Sequence, residues 1–566
     1  MGASMGKVTG GEALLLSLIE ENVDTIFGYP GGTIMPVYDK MYYYADRLRH
    51  ILTRHEQGAV HAAQGYARVS GKTGVVVATS GPGATNLTTG LADAMVDSTP
   101  LVCIVGQVGA PMLGTDAFQE TDFIGISMPI TKWNYQITCA EEVPQIIAKA
   151  FYIARSGRPG PVVVDFTKNA QVGDCDFRYQ KCSFIRSYVP TPQVNGEEIA
   201  AAAAVINGAK KPFALVGQGV ELANAEKELA AFLEKADIPF GWTLLGKSVA
   251  PADHPLNMGM LGMHGGYAPN KKTNECDVLI AIGMRFDDRI TSKTSAYARQ
   301  AKVVQLEIDK AEINKNIKAD FPVLANLKES LPLLTQAVAE AKHAEWISSF
   351  RPYAEEEHAR VITPQLHPSE GAITMGEAVS QISKRANGTA ILVTDVGQQQ
   401  MAAARYFEVK QPRSIAISGG LGTMGFGLPA AIGAKVAAPH REVILFVGDG
   451  GIQMTIQELG TIMQDGVGVK IVLLNNRFLG MVRQWQELFY DRRYVATPML
   501  NPDFVKLAEA YGIRSRRVAE RAALADAISD MFAHRGAYLL EVVVAAEGNI
   551  FPMVPAGASL EDIRLE

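Results

Sequence analysis

Cysteine is scarce: five residues stand at positions 103, 139, 175, 182 and 276, with no CxxC pair among them. An odd, scattered set argues against a disulfide framework or a structural zinc site and points to a reducing, cytoplasmic compartment. No apolar run reaches the length needed to cross a membrane. The N-terminus, MGASMGKVTGGEALLLSLIE, has only a six-residue apolar run and no clustered basic segment, a poor signal peptide. Met5 is a candidate natural start, with the preceding residues a cloning scar. Positive charge is not in excess either. A formal net charge of −6 argues against a nucleic-acid-binding surface and against a polybasic membrane patch. No short-period repeat is present, which excludes a solenoid.

What the chain does have is length and order. Its 566 residues, 48% hydrophobic and 20% charged, have the balance of a globular protein with several cores. At about 100–200 residues per domain, three or four domains are expected. Val- and Ile-rich runs recur between Gly and Pro, as at 74–83, 100–107, 160–166, 213–219, 277–283, 390–397, 442–450 and 469–476. Neither face of these runs alternates to polar, the mark of strands buried on both sides. Ala-rich amphipathic stretches at 10–22, 56–70, 141–155, 198–208, 221–236 and 519–533 separate them. Alternating strands and helices imply an α/β fold with doubly wound parallel sheets, whose ligand sites lie at the carboxyl ends of the strands. Residues 183–197 and 340–372 lack this rhythm and read as linkers. The expected domains are therefore near 5–185, 190–340 and 370–566. The first and third share a strand–loop–helix rhythm without strong identity.

Two motifs carry chemistry. Gly448-Asp449-Gly450 is followed after 24 residues by Asn475-Asn476, each after a buried-strand pattern. Glycines let a backbone approach a phosphate closely, and Asp449 with an Asn oxygen supplies hard ligands for magnesium. Each motif alone is also a common turn sequence. The second motif, RHEQGA at 54–59, places Glu56 where a strand passes into a helix. Alone, such a Glu does no more than complement the helix dipole. His55 and His61 read as structural.

The GDG-x24-NN arrangement resembles the diphosphate–magnesium motif of thiamine-diphosphate enzymes. The resemblance implies that Asp449, the Asn476 side chain and the Phe478 carbonyl bind magnesium; His is frequent at the last position, and a carbonyl ligand tolerates the change. It also implies that Glu56 hydrogen-bonds N1′ of the cofactor's aminopyrimidine, so that the imino tautomer removes the thiazolium C2 proton. The cofactor is then the electron sink and the protein supplies orientation.

Nearly end to end, the chain resembles the catalytic subunits of acetohydroxyacid synthases (acetolactate synthases). The matching stretches are FGYPGG at 27–32, RHEQGA at 54–59, ATSGPGATN at 78–86, GTDAFQE at 114–120, SGRPGPV at 156–162, GMHG at 262–265, GMRFDDR at 283–289, TDVGQ at 394–398, GGLGTMGFGLPAAIGA at 419–434, NNRFLGMVRQWQELFY at 475–490 and FPMVPAG at 551–557. By this resemblance thiamine diphosphate contacts Pro30, Glu56, Pro82, Asn86, Gln119, Val396, Gly397, Gln398, Gln399, Gly422, Met424, Gly448, Asp449, Gly450, Gly451, Asn476, Gly480 and Met481. Gly31, Phe118, Gln119, Lys168, Met481, Trp485 and Phe489 match active-site or entrance positions. Trp485 matches a tryptophan associated with preference for 2-oxobutyrate.

The resemblance implies FAD in the middle block. Arginine forks in GMRFDDR suit a pyrophosphate, and the acids of QLEIDKAEINKN at 305–316, at another strand end, suit a ribose. The implied contacts are Arg158, Gly217, Gly219, Thr243, Leu244, Met263, His264, Gly283, Arg285, Asp287, Arg289 and Asp309. The flavin has no net redox role in this family, and the RFDDR run favours the biosynthetic type over the catabolic one. Lys168 and Arg289 suit a substrate carboxylate or a flavin phosphate. Two departures stand out: Gly109-Ala110-Pro111 replaces a frequent Pro-Arg-Arg, and Gln399 replaces a frequent His.

The implied reaction joins the two-carbon unit of decarboxylated pyruvate to a second 2-oxo acid, pyruvate or 2-oxobutyrate. It gives 2-acetolactate or 2-aceto-2-hydroxybutyrate for branched-chain amino acid synthesis. Glu56 and Asp449 would come from different subunits, requiring a homodimer or homotetramer, and a small regulatory subunit is a further implied partner. Competing readings are another pyruvate-using thiamine-diphosphate enzyme, such as a pyruvate oxidase or the catabolic synthase, and a non-catalytic nucleotide-binding protein on the same fold.

Overall fold

The protein is described here from a computed structural model covering residues 7–566; the Met5 start lies outside the described residues. Three six-stranded sheets, every strand pair parallel, organise the described chain.

In the N-terminal region, β1 (Lys7–Thr9) precedes β2 (Thr25–Gly28), β3 (Arg49–Leu52), β4 (Gly74–Ala78), β5 (Leu101–Gln107), β6 (Trp133–Ile137), β7 (Pro161–Thr167) and β8 (Asp174–Asp176). Strands β2 to β7 form a sheet of order β3-β2-β4-β5-β7-β6, and β1 pairs antiparallel with β8. The central region contributes β9 (Pro212–Val216), β10 (Phe240–Trp242), β11 (Asn257–Met260), β12 (Val278–Ile282), β13 (Lys302–Glu307) and β14 (Phe321–Leu324), ordered β11-β10-β9-β12-β13-β14. The C-terminal region contributes β15 (Ile391–Thr394), β16 (Ile415–Ile417), β17 (Val443–Gly448), β18 (Lys470–Asn475), β19 (Arg514–Val518) and β20 (Tyr538–Val543), ordered β16-β15-β17-β18-β20-β19.

Numbered within their own sheets, the first and third share the order 2-1-3-4-6-5, while the middle sheet runs 3-2-1-4-5-6. The shared order explains the similar rhythm of the two outer blocks. The middle order is that of dinucleotide-binding sheets, which hold their ligand where the strand order reverses. Central strands β4, β5, β7, β9, β12, β15 and β18 are buried along their whole length, as continuous apolar runs require when helices cover both faces.

The helix Glu56–Ser70 is buried almost all round. It starts on His55, whose Nδ1 accepts from Gln57 N, and stops at Gly71 in the left-handed region. It packs along the helix Gly427–Ala437 of the C-terminal region. The crossing depends on two glycines. A Cβ on Gly433 would lie 2.6 Å from the carbonyl carbon of Ala62 and closer still to its oxygen; a Cβ on Gly65 would lie 2.7 Å from the carbonyl carbon of Ala430. Buried ion pairing extends this contact: Arg68 bridges to Asp97, which accepts from Gly419 N and Gly420 N at 2.9 and 2.8 Å.

Residues 340–372, between the central and C-terminal sheets, carry no strand. They hold the helices Ala344–Ser348, Arg351–Glu357 and Thr363–Leu366. Trp346 and Phe350 are buried against the central region, and Trp346 Nε1 donates to Pro212 O at 2.8 Å. Two apolar anchors four residues apart suffice to seat a charged segment. No helix among the described residues is long and apolar enough to cross a membrane, and all five cysteines are free.

Candidate active site

The N-terminal candidates gather at the carboxyl ends of β2, β3, β4 and β5. Glu56, 9% exposed, opens its helix immediately after β3 and accepts from Asn86 Nδ2 at 2.9 Å. Gly31, beyond β2, lies flat against Thr79 beyond β4, and Gly83 fits between Thr79 and Glu56. Gly81 has φ +55 and sits over the backbone of Gln119. Pro30, Gly31, Glu56, Pro82, Asn86 and Gln119 thus occupy one locus. Phe118, 87% exposed, projects from the same loop as Gln119. Lys168, at the carboxyl end of β7, is exposed.

The C-terminal candidates gather at the switch point of the third sheet, after β15, β17 and β18. Val396, Gly397, Gln398, Gln399, Met424, Gly448, Asp449, Gly450, Gly451, Asn476, Phe478, Gly480 and Met481 line one small cavity. Gly397 has φ +146, and a Cβ there would strike the Gln399 amide at 2.5 Å, so only glycine fits. A Cβ on Gly480 would lie 2.7 Å from Asn476 Nδ2. These bare backbones form a cradle suited to a diphosphate. Asp449 is 1% exposed, and burial raises its pKa. Its Oδ2 accepts from Asn501 Nδ2 at 2.6 Å; Asn476 Oδ1 accepts from Phe478 N at 3.1 Å. No cluster of three His, Cys, Asp or Glu occurs among the described residues. One carboxylate with neighbouring amide and carbonyl oxygens is the sparse donor set that magnesium uses when phosphate completes its shell.

A second cavity, of about 540 Å³, opens between the three regions. It is lined by Arg158, Gly219, Thr243, Leu244, Met263, His264, Gly283, Arg285, Asp287 and Arg289, together with Gly422, Met481 and Trp485. At the switch point between β9 and β12, Gly219 N donates to Gly283 O at 2.9 Å, and a Cβ on Gly219 would be 2.7 Å from Gly283 Cα. Gly217 packs beneath, its Cβ position 2.5 Å from Met284 Cβ, and does not line the cavity. Asp309 is also outside the lining but pairs with Arg158 at 3.4 Å. Burial, with Arg405 and Arg289 nearby, lowers the His264 pKa to about 4. His264 Nδ1 and Trp485 Nε1 are buried with no partner in the chain. Unpartnered buried polar atoms beside a cavity call for a ligand, and the volume, arginines and sheet order fit a dinucleotide.

Glu56, Gly31, Pro30, Pro82, Asn86, Phe118, Gln119, Lys168 and Phe489 line neither cavity. Within one chain the two candidate half-sites are separate. Several residues that support them went unread in the sequence. Asp395, fully buried, accepts from Val396 N, Gly425 N and Gly427 N and so fixes the loop bearing Gly422 and Met424; burial raises its pKa to about 6. Its signal was its place after strand β15. Asn501, which holds Asp449, lies in a loop with no pattern to betray it.

Comparison with known proteins agrees in every region. The N-terminal TPP binding domain of thiamine pyrophosphate enzymes matches residues 8–126, the central domain of these enzymes residues 199–334, and the C-terminal TPP binding domain residues 395–542. The chain is 43% identical over 560 residues to the acetolactate synthase large subunit of Lactococcus lactis subsp. lactis (strain IL1403), covering 98% of this chain and 96% of the relative. It is 44% identical over 553 residues to the acetolactate synthase isozyme 2 large subunit of Escherichia coli (strain K12), covering 98% of each. It is 44% identical over 568 residues to the probable acetolactate synthase large subunit of Methanocaldococcus jannaschii, covering 98% of this chain and 95% of the relative.

Proposed function

This chain belongs to the acetolactate synthase family of thiamine pyrophosphate enzymes, and from that premise we propose how its residues divide the work. It is a thiamine-diphosphate-dependent acetolactate synthase of branched-chain amino acid synthesis. The observation that carries the reading of the site is the glycine cradle around Asp449 and Asn476, which shares a wall with the dinucleotide-sized cavity.

Thiamine diphosphate, when bound, supplies the electron sink for loss of carbon dioxide from a 2-oxo acid. Asp449, Asn476 and the Phe478 carbonyl would hold a magnesium ion, and the bare backbones of 448–451 and 397 would admit phosphate oxygens. Glu56 exchanges a proton at its carboxyl oxygen with the aminopyrimidine, and Asn86 fixes the direction of that carboxyl. FAD, when bound, would be held in the larger cavity, where Arg285 and Arg289 would supply positive charge for its phosphates. In the reaction, the bond between C1 and C2 of pyruvate breaks with release of carbon dioxide. A new carbon–carbon bond then forms to the carbonyl of a second 2-oxo acid, pyruvate or 2-oxobutyrate, whose carboxylate Lys168 or Arg289 neutralises. Trp485, with an unpartnered indole N–H at the cavity wall, bounds the acceptor's side chain.

We infer from the family resemblance that a second copy of the chain completes each centre, one contributing Glu56 and the other Asp449; that Glu56 lines neither cavity of its own chain fits this reading. The relatives are named large subunits, and we extend to this chain a small regulatory partner. The test is turnover of pyruvate in air-saturated phosphate buffer with thiamine diphosphate and magnesium, with oxygen consumption followed and flavin absorbance recorded on the purified protein. Acetolactate from a flavin-bearing protein is expected. Acetyl phosphate, peroxide or acetaldehyde as the main product would overturn the reading.

A further inference from the structure

We propose that Glu458 is a positioning residue for Glu56, seating the turn that carries it from the C-terminal region of the same chain. This rests on the role given to Glu56 above. Glu458 is fully buried, although it is a glutamate that lines neither cavity. Its Oε1 and Oε2 accept from Arg54 N at 3.0 and 3.2 Å, two residues before Glu56. Thr461 Oγ1 lies 2.7 Å from Oε2 and 3.2 Å from Leu52 O, the last residue of β3. Gly58 leaves room for the carboxylate: a Cβ there would sit 2.7 Å from Glu458 Cδ and closer still to Oε1.

The contact is a clamp with two jaws. While the Glu458 carboxylate takes the Arg54 backbone, the Arg54 guanidinium donates to Gly460 O at 3.1 Å and to Gln464 Oε1 at 2.7 Å. A buried carboxylate is costly unless each oxygen is bonded, and here both are. Burial raises its pKa to about 7, and the Arg54 charge and the N–H donors oppose that rise. Ionised, it also complements the positive end of the 15-residue helix that begins at Glu56. Nothing else among the described hydrogen bonds holds Arg54 N. The backbone turn that leads into Glu56 is therefore seated by an acid 402 residues later in the sequence, while Asn86 orients the carboxyl itself.

The same segment has a second end. Asp449 opens the helix Asp449–Met454, and Glu458 closes the turn Ile456–Glu458 directly after it. One short stretch reaches the metal end of one half-site and the proton-transfer end of the other.

The experiment combines Glu458→Ala, Glu458→Gln, Thr461→Val and Glu56→Gln in the full-length holoenzyme. Amide hydrogen exchange of the peptide spanning 52–58 is followed by mass spectrometry on the cofactor-free protein, and kcat and KM for pyruvate on the loaded protein. Loss of hydrogen bonds to a charged acceptor is expected to speed exchange in that peptide by about tenfold or more in Glu458→Ala. Exchange in the β17 and β18 peptides is expected to stay as in the parent. The kcat is expected to fall at least about tenfold with KM within about twofold, the pattern of a misplaced group rather than lost substrate binding. Glu458→Gln, which keeps one acceptor oxygen, is expected to recover part of both. Thr461→Val, which preserves shape, is expected to show a smaller effect of the same kind and serves if Glu458→Ala does not fold. Unchanged exchange at 52–58, or unchanged kcat in a protein whose Glu56→Gln variant is inactive, overturns the proposal. If Glu56→Gln is itself fully active, the role of Glu56 fails, while the exchange measurement still decides whether Glu458 seats the turn.

Discussion

Replacing Gly433 by alanine tests how the outer two regions of the chain are held together. The added Cβ would lie 2.6 Å from the carbonyl carbon of Ala62 and 2.9 Å from Tyr66 N. Ordinary contact for a Cβ begins near 3.4 Å, and the Ala62 carbonyl oxygen lies closer to the Cβ position than its carbon does, so the helices 56–70 and 427–437 must part by well over 1 Å at their crossing, in a close-packed interior with no slack to absorb it. The obstructing atoms are backbone, so no rotamer change relieves them. Overpacking of this kind costs about 1–3 kcal/mol and occasionally more; with backbone on both sides we expect about 3 kcal/mol. For domains of this size that corresponds to roughly 6–12 °C in the midpoint of thermal unfolding. The assay is calorimetry of the cofactor-free protein, read at its first transition because a chain of several domains need not unfold in two states. Gly196→Ala is the control: it sits at the start of the helix Gly196–Asn207 with nothing within 4 Å of its Cβ position, and should leave the midpoint unchanged or slightly raised. A Gly433→Ala midpoint within about 1 °C of the parent would refute the close crossing.

Three further outcomes are expected. If the two half-sites belong to different chains, mixing and reassociating the inactive variants Glu56→Gln and Asp449→Asn in equal amounts should recover about a quarter of parental activity, since half the dimers are mixed and one centre of each is intact; no recovery sinks the shared site. Arg285→Ala should purify with far less flavin, its affinity weakened at least about tenfold, or about 1.4 kcal/mol, while parental flavin content would show that Arg285 does not hold the ligand. Burial lowers the pKa of His61 to about 3 from the ordinary 6.5, so its contribution to stability is full above pH 6.5 and is lost as pH falls from 6.5 toward that value. At pH 5 only the unfolded chain takes up this proton, a loss of about 2 kcal/mol. The urea-derived stability difference between parent and His61→Gln should therefore shift by that amount toward the variant between pH 7 and pH 5, and a constant difference would be the contrary result.

Much of the fold was legible because its signals are local. Runs such as Val75–Ala78 and Ile471–Leu474 are apolar on both faces and became buried parallel strands, and the helix at 56–70 ran to its expected bounds. The repeated strand order 2-1-3-4-6-5 was not legible, since it lies in pairings between distant segments that leave no local trace. The helices within 340–372 were not legible, because charge masks the segment's two buried anchors, Trp346 and Phe350. The cavity-lining candidates were carried by glycine-rich loops whose composition reveals their purpose. Supporting side chains were not: Asn501 reaches Asp449 from an irregular loop, and Glu458 reaches Arg54 across the interface between two regions. A residue that acts through a neighbour has no motif of its own.

Val396, Gly397, Met424, Met481 and Val482 line both cavities, and a shared partition has a thermodynamic consequence. Any displacement of that wall by a molecule on one side alters the room on the other, so the two occupancies are linked. Linkage is reciprocal: if filling the larger cavity tightens binding in the smaller one tenfold, filling the smaller tightens the larger tenfold, about 1.4 kcal/mol in each direction. A ligand that exchanges no electrons in the reaction can still serve it, as a wedge that sets the shape of the space next door.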